Sequence, residues 1–108
     1  MTTAARWNAD EQVQKLEQLR IRIAAMSQAL AERELSGRLL RLTIETELQA
    51  SGKTKTDSDK LAKADARYVD HEKRSVQISY DRDIVLAEAE ALKLRLQLTI
   101  AERLAEIV

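Results

Sequence analysis

The sequence predicts an all-α protein, and three observations support this fold class. The chain contains no proline and only two glycines, so little in it would interrupt a helix. It is rich in the residues that favour helices, such as alanine, leucine, glutamate and arginine. Apolar residues also recur at steps of three and four along much of the chain. We expect one helical domain over residues 1–108, a long helical hairpin or three-helix unit with coiled-coil packing that becomes a helical bundle as an oligomer.

The composition narrows the possible functions. The 18 basic and 18 acidic residues balance, whereas non-specific nucleic-acid binders are usually basic. The absence of cysteine excludes disulfides, thiolate nucleophiles and cysteine metal sites. No apolar run approaches the ~20 residues that cross a bilayer, and residues 1–7 lack the apolar core of a signal peptide. We therefore expect a cytoplasmic protein that does not contact membranes.

A first helix is predicted from about residue 8 to residue 50. Asn8 can cap it, because Glu11 follows at the spacing of a capping box and Asp10 adds negative charge at the positive helix end. Trp7 precedes this cap and is placed to pack back on the first turns. An apolar stripe then follows helical spacing through Val13, Leu16, Leu19, Ile23, Met26 and Leu30.

This stripe is interrupted in the middle of the helix. The next steps of the repeat fall on Arg33 and Gly37, which are not apolar core residues. The apolar pattern restarts in a new phase at Leu35, Leu39 and Leu42, with Leu40, Ile44 and Leu48 beside them. Glycine inside a helix costs about 1 kcal/mol relative to alanine. We expect either a kink or break near residues 36–37 or a straight helix with a stutter in its repeat.

A polar loop over residues 51–56 separates the first helix from a short helix expected at about residues 57–66. Gly52 suits the left-handed position just past a helix end. Thr56 or Ser58 can cap the short helix. A last, long helix then follows a joint near Asp65.

The last helix, expected at about residues 67–107, carries two apolar seams. The first seam, which is rich in alanine and suits close helix approach, consists of Ile84, Ala87, Ala91, Leu94, Leu98, Ala101, Ala105 and Val108. The second, bulkier seam consists of Val85, Ala89, Leu92, Leu96, Ile100, Leu104 and Ile107. The seams lie roughly 150° apart around the helix. One seam can pack on the first helix, and the other needs a third helix, another subunit or a partner.

The second seam supplies our candidate interface with a partner. Its candidate residues are Val85, Leu92, Leu96, Ile100 and Leu104. The same residues could instead form the core of a homodimer. Glu90 and Arg95 flank the first seam at positions that could pair across a parallel dimer, although an ordinary surface pair is the alternative.

No residue pattern in the chain indicates catalysis. His71 is the only histidine, and a metal site would need further nitrogen or sulfur ligands. The carboxylates fit solvated helix faces, and the sequence has neither a glycine-rich phosphate loop nor a serine nucleophile elbow. We expect no enzyme activity, no cofactor, no metal and no small-molecule substrate.

Basic residues cluster around the loop and the joint. The candidate phosphate or polar contacts are Lys53, Lys55, Lys63, Arg67 and Arg74. Acidic residues interleave with them, so a solvated polar surface is the first interpretation and a phosphate-contacting tip is the second.

Two stretches of the second half resemble small helical proteins encoded by bacteriophages. These are Asp65-Ala-Arg-Tyr-Val-Asp-His and, within residues 83–98, Leu-Ala-Glu-Ala-Glu-Ala-Leu-Lys-Leu-Arg-Leu. The resemblance covers about half the chain, from Lys53 to Leu104. It implies an accessory protein in the cytoplasm of a bacterial host that binds a protein complex, with inhibition of a defence system as the leading function. A recombination or nucleic-acid accessory protein and a coiled-coil scaffold or assembly factor remain open.

Overall fold

The computed structural model describes residues 8–107, and helix accounts for 94% of them. These residues form α1 (Ala9–Ala50), α2 (Lys55–Ala64) and α3 (Ala66–Ile107), with no strand among them. The all-α class is therefore confirmed. The packing expected for Trp7 and the seam position of Val108 lie outside the described residues.

The N-terminal cap predicted at Asn8 is confirmed. Asn8 Oδ1 accepts hydrogen bonds from the backbone N–H groups of Asp10 at 3.0 Å and Glu11 at 3.2 Å. These are two of the N–H groups that have no acceptor inside the helix at its first turn. From this cap α1 continues as one helix to Ala50, so the break considered near residues 36–37 is absent.

The end of α1 is fixed by Gly52, as predicted. Gly52 adopts a φ of 99°, and its N–H donates to the Gln49 carbonyl at 3.0 Å. The Lys53 N–H donates to the Leu48 carbonyl at 3.1 Å. This pair of bonds is a Schellman motif, and its left-handed residue favours glycine because a side chain there would be strained.

The cap of α2 differs from the prediction. Thr54, with extended backbone, is the N-cap, and its side-chain oxygen accepts from the Asp57 N–H at 3.2 Å. The helix therefore begins at Lys55, before both expected caps. Ser58 is instead fully buried. The sequence is ambiguous here because four hydroxyl or carboxyl residues that can cap a helix follow one another within a few positions.

Asp65 joins α2 to α3, at the predicted joint. Its extended backbone (φ −63°, ψ 135°) ends α2. Its Oδ1 then accepts from the Arg67 N–H at 2.8 Å, and its carbonyl accepts from the Val69 N–H at 2.9 Å. One residue therefore terminates one helix and caps the next.

The chain forms two compact units, each with its own core. The end unit contains the described residues up to Ala25 and from Asp81 onwards. Its buried apolar residues are Leu16, Leu19, Val85, Ala89 and Leu96. Within it, residues 12–19 of α1 line a groove with residues 88–95 of α3, and residues 16–23 line another with residues 86–93. The two helix segments of this unit therefore run antiparallel.

The turn unit comprises Met26–Tyr80, and α2 packs in it through small side chains. Ser58 and Ala62 lie one turn apart on α2 and are both 0% exposed. Ile44 of α1 is 1% exposed and supplies the large side chain of this core. Small residues on one face of a short helix allow it to approach closely, which compensates for its limited length.

The apolar repeat of α1 keeps one phase through the turn unit, which corrects the phase change predicted from the sequence. Gly37 and Ile44 are buried, and Arg33 and Leu40 are half-buried. These positions continue the repeat of three and four residues that runs from Val13 to Leu30. Arg33 and Gly37 are therefore members of the stripe that faces the core. The residues of the supposed new phase, Leu35, Leu39 and Leu42, are all exposed.

Arg33 and Gly37 meet α3 at one polar layer. Arg33 donates from Nε to Ser75 Oγ at 2.9 Å and from Nη2 to the His71 carbonyl at 2.9 Å. A Cβ at Gly37 would lie 3.0 Å from His71 Cε1 and 3.2 Å from His71 Nδ1. The imidazole therefore occupies the space that a side chain at position 37 would need. Close helix approach explains this glycine.

Gly37→Ala should stabilise the protein only when the imidazole is removed. Alanine is better than glycine in a helix interior by about 1 kcal/mol, but in the native chain its methyl group would meet His71. We expect the gain of about 1 kcal/mol in the free energy of unfolding to appear in a His71→Ala background and to be absent or reversed in the wild type. Urea unfolding followed by circular dichroism measures the free energy of unfolding of the wild type, of each single variant and of the double variant.

Ser36→Ala is the matched control, since Ser36 is exposed and adjacent in the same helix. Its effect on stability should be the same in both backgrounds. An equal gain from Gly37→Ala in both backgrounds would show that His71 does not restrict position 37.

Candidate protein-binding faces

The structure divides the candidate interface of the second seam into a buried part and an exposed part. Val85 and Leu96 are buried in the core of the end unit, and Leu92 is half-buried. Ile100 and Leu104 are exposed, as are all residues from Ile100 to Ile107. Within the single chain, only the last two turns of this seam are therefore accessible to a partner.

The first seam of α3 is the exposed one. We call its described members in the end unit the α3 face: Ile84, Ala87, Ala91, Leu94, Leu98, Ala101 and Ala105. All are exposed, and Leu94 and Leu98 each leave 61% of their surface accessible. One seam packs inside the chain and the other does not, as expected, but the bulkier seam is the one inside. Larger side chains fill the core that contains Leu16 and Leu19 better than the alanines of the α3 face would.

A second exposed apolar surface lies on α1 in the turn unit. We call Leu35, Leu39 and Leu42 the α1 face. These leucines are 58–60% exposed and occupy positions i, i+4 and i+7 of the helix. An exposed ion pair between Glu34 and Arg38, 2.8 Å apart, lies beside them.

Sequence reasoning placed the α1 face in the restarted apolar stripe of the first helix, and the interrupted repeat explains why. Leucines in a three-four pattern usually mark the buried side of a helix. The signal that could have corrected this lies in the first stripe. When it is continued from Leu30 through Arg33 and Gly37, it reaches Leu40 and Ile44 without a change of phase.

Two of the five candidate phosphate contacts are engaged with carboxylates. Lys63 Nζ lies 3.4 Å from Asp59 Oδ2. Arg67 Nη2 lies 2.8 Å from Glu47 Oε2, and its Nε lies 3.1 Å from Asp65 Oδ1. These contacts fit the first interpretation of the basic residues, a solvated polar surface in which acidic and basic side chains are interleaved. Lys53, Lys55 and Arg74 are exposed.

Arg67 perturbs both carboxyl groups that it contacts. Hydrogen bonds from its guanidinium lower the pKa of Glu47, and its positive charge acts in the same direction. A side-chain hydrogen bond from Arg67 also lowers the pKa of Asp65, assisted by the Arg67 backbone N–H. The same contacts raise the pKa of Arg67, with the hydrogen bond to Glu47 as the largest cause. The cluster therefore ties the end of α1 to the start of α3 in the turn unit.

The described residues offer no evident metal centre or membrane span. No group of three or more His, Asp or Glu side chains between residues 8 and 107 is placed to hold a metal ion. His71 lies mostly buried against Gly37, with its Nδ1 3.8 Å from Glu72 Oε1. None of the three described helices combines the length and the apolar character that crossing a bilayer requires.

The Arg67 cluster should make stability fall in acid. Because the pKa values of Glu47 and Asp65 are lowered in the folded chain, their contribution is present above the usual carboxyl range. It is lost as the pH falls through the lowered values. Between about pH 7 and about pH 3, the wild type should therefore lose more stability than Arg67→Gln. Urea midpoints measured at both pH values test this difference.

Arg74→Gln is the control, since it removes the same charge one heptad further along α3. Its loss of stability in acid should match that of the wild type. An identical loss in all three proteins would mean that Arg67 does not stabilise the ionised carboxylates.

Comparisons of the chain with protein-family models, with curated proteins and with solved structures gave no match. The function is therefore inferred from the chain's own residues and from the two exposed faces.

Proposed function

We propose that this is a non-catalytic accessory protein that binds a protein complex through the α1 face and acts by occupying a surface that the complex uses. The observation that carries this proposal is the exposure of Leu35, Leu39 and Leu42 at positions i, i+4 and i+7. A helix that docks in an apolar groove of another protein anchors itself with this spacing. The partner therefore presents a groove lined by apolar side chains.

The energy available at the α1 face is consistent with one specific site. Burying a whole leucine side chain contributes about 1.5–3 kcal/mol, and each of these leucines is about three-fifths exposed. Together they offer roughly 3–5 kcal/mol. Association itself costs several kcal/mol, so further contacts must contribute. Glu34 and Arg38 lie beside the leucines and can supply the polar rim that makes such a contact specific.

A bacterial defence complex is the partner class that we favour, including defence systems of the CRISPR type. The support is the resemblance of residues 53–104 to small helical proteins of bacteriophages. An inhibitor that blocks a surface needs no catalytic group. It needs a helix with an exposed apolar face, and Leu35, Leu39 and Leu42 of α1 supply one within the turn unit.

The nucleic-acid alternative has weaker support. Lys63 and Arg67 would have to exchange carboxylate contacts within the chain for phosphate contacts. A scaffold would also need an exposed apolar face, so the α1 face does not by itself favour the scaffold alternative.

Leu39→Glu should abolish inhibition without unfolding the protein. A carboxylate at the centre of the α1 face would have to be buried in the apolar groove of the partner, whereas in the single chain it remains in solvent. The measurement co-expresses the protein with individual bacterial defence systems and records the plating efficiency of a phage that each system restricts. We expect the wild type to raise the plating efficiency under one system about 100-fold or more, and Leu39→Glu to give no increase.

Val76→Glu is the matched control. Val76 is exposed to a similar degree, and the substitution adds the same charge to α3 instead of α1. It should relieve restriction as the wild type does. The proposal fails if no defence system is relieved, or if Leu39→Glu, shown to be helical by circular dichroism, remains as active as the wild type.

A further inference from the structure

The α3 face has a regular alternation of size that the α1 face lacks. Its residues occupy the a and d positions of a heptad repeat, with Ile84 and Leu98 at a and Leu94 at d. Alanine fills each remaining position, namely Ala87, Ala91, Ala101 and Ala105. All these residues are exposed in the single chain.

We propose that the α3 face binds the α3 face of a second copy of this chain, antiparallel, about a two-fold axis between Leu92 and Lys93. In an antiparallel pair, a positions face d positions. This register places each large side chain against an alanine of the second copy, through the pairs Ile84 with Ala101, Ala87 with Leu98 and Ala91 with Leu94. Each pair forms one layer of the contact. Because the two-fold axis repeats each pair once, the contact has six consecutive layers, and each layer holds one large residue and one alanine.

No other coiled-coil arrangement of this face gives as many uniform layers. A parallel dimer in register would place Leu94 on Leu94 and Ala91 on Ala91. An antiparallel pair shifted by one heptad would place Ile84 on Leu94 and Ala87 on Ala91. Layers that alternate between two large residues and two alanines force the helices apart at one level and leave a cavity at the next.

The charges beside the face favour the same register. It brings Glu88 of each copy next to Arg95 of the other, which gives two attractive pairs near the centre of the contact. The outer pair, Glu102 with Asp81, carries like charge, but it lies at the ends of the contact, where solvent and salt screen it. Charge complementarity is therefore greatest where the apolar contact is most enclosed.

The second copy would leave the buried core of the chain in place, while Glu88, Ala91 and Arg95 of the contact also border the groove between α1 and α3. Val85, Ala89 and Leu96 are buried in the core of the end unit, on the opposite side of α3 from the α3 face. The roughly 150° between the two seams leaves room for a helix on each. The dimer also uses none of the residues of the α1 face, so it does not depend on the proposed function.

Light scattering after size exclusion tests the surface. The wild type should be a dimer, and Leu94→Glu should raise the dissociation constant at least 100-fold while circular dichroism shows unchanged helicity. Leu39→Glu, with the same change on the α1 face, should remain dimeric. A monomeric wild type at high concentration, or a Leu94→Glu variant that dimerises as the wild type does, overturns the proposal.

Ala91→Leu tests the size alternation without adding charge. Position 91 is exposed in the single chain, so folding should tolerate the larger side chain. In the dimer it would place leucine on Leu94 in two layers, and we expect the dissociation constant to rise at least tenfold. If the association were non-specific, the larger apolar side chain would instead lower the dissociation constant, and that result would overturn the proposed register.

A spin label tests the orientation, since the chain has no native cysteine to interfere. In the antiparallel register, labels on Glu102→Cys lie more than five helical turns apart along the shared axis, or about 30 Å. In a parallel pair they would lie side by side, under about 20 Å apart. Double electron–electron resonance distinguishes the two distances, and the shorter one contradicts the antiparallel arrangement.

Discussion

The close contact of α1 and α3 at Gly37 is the constraint on which much of the turn unit depends. His71 fills the space where a side chain at position 37 would lie, with 3.0 Å between its Cε1 and an ideal Cβ. Arg33, one turn earlier, donates hydrogen bonds to Ser75 and to the His71 carbonyl. Since these two positions face α3, the leucines two residues beyond each of them are exposed, and the α1 face exists for that reason.

Residue size decides how α3 uses its two seams. The side facing α1 in the end unit must fill the core that also contains Leu16 and Leu19, and Val85 and Leu96 are large residues buried in that core. The opposite side alternates large residues with alanine, a pattern that fills space well only against a complementary surface. The proposed dimer would therefore use residues of α3 other than those that stabilise the single chain.

Local signals predicted both ends of α1 and the joint at Asp65, although not the cap of α2, whereas the assignment of faces depended on contacts that the sequence does not reveal. The cap at Asn8 and the turn at Gly52 depend on bonds between near neighbours, so they can be identified from spacing alone. Arg33 is different, because its acceptors lie 38 and 42 residues away on another helix. In a pattern of apolar residues, such a residue looks like a break in the stripe that faces the core. For this reason the stripe was continued in the wrong phase, through Leu35, Leu39 and Leu42.

The polar layer also fixes how α1 and α3 align within the turn unit. The Arg33 guanidinium is half-buried, and its acceptors are one backbone carbonyl and one serine hydroxyl at defined positions of α3. A shift of α1 by one heptad would remove both acceptors and place a larger residue than Gly37 against His71. Polar residues inside a helical seam commonly set the register at some cost in stability. Here the same register keeps Leu35, Leu39 and Leu42 out of the core and leaves them exposed, so the residue that interrupts the apolar pattern also defines the surface that we propose for binding.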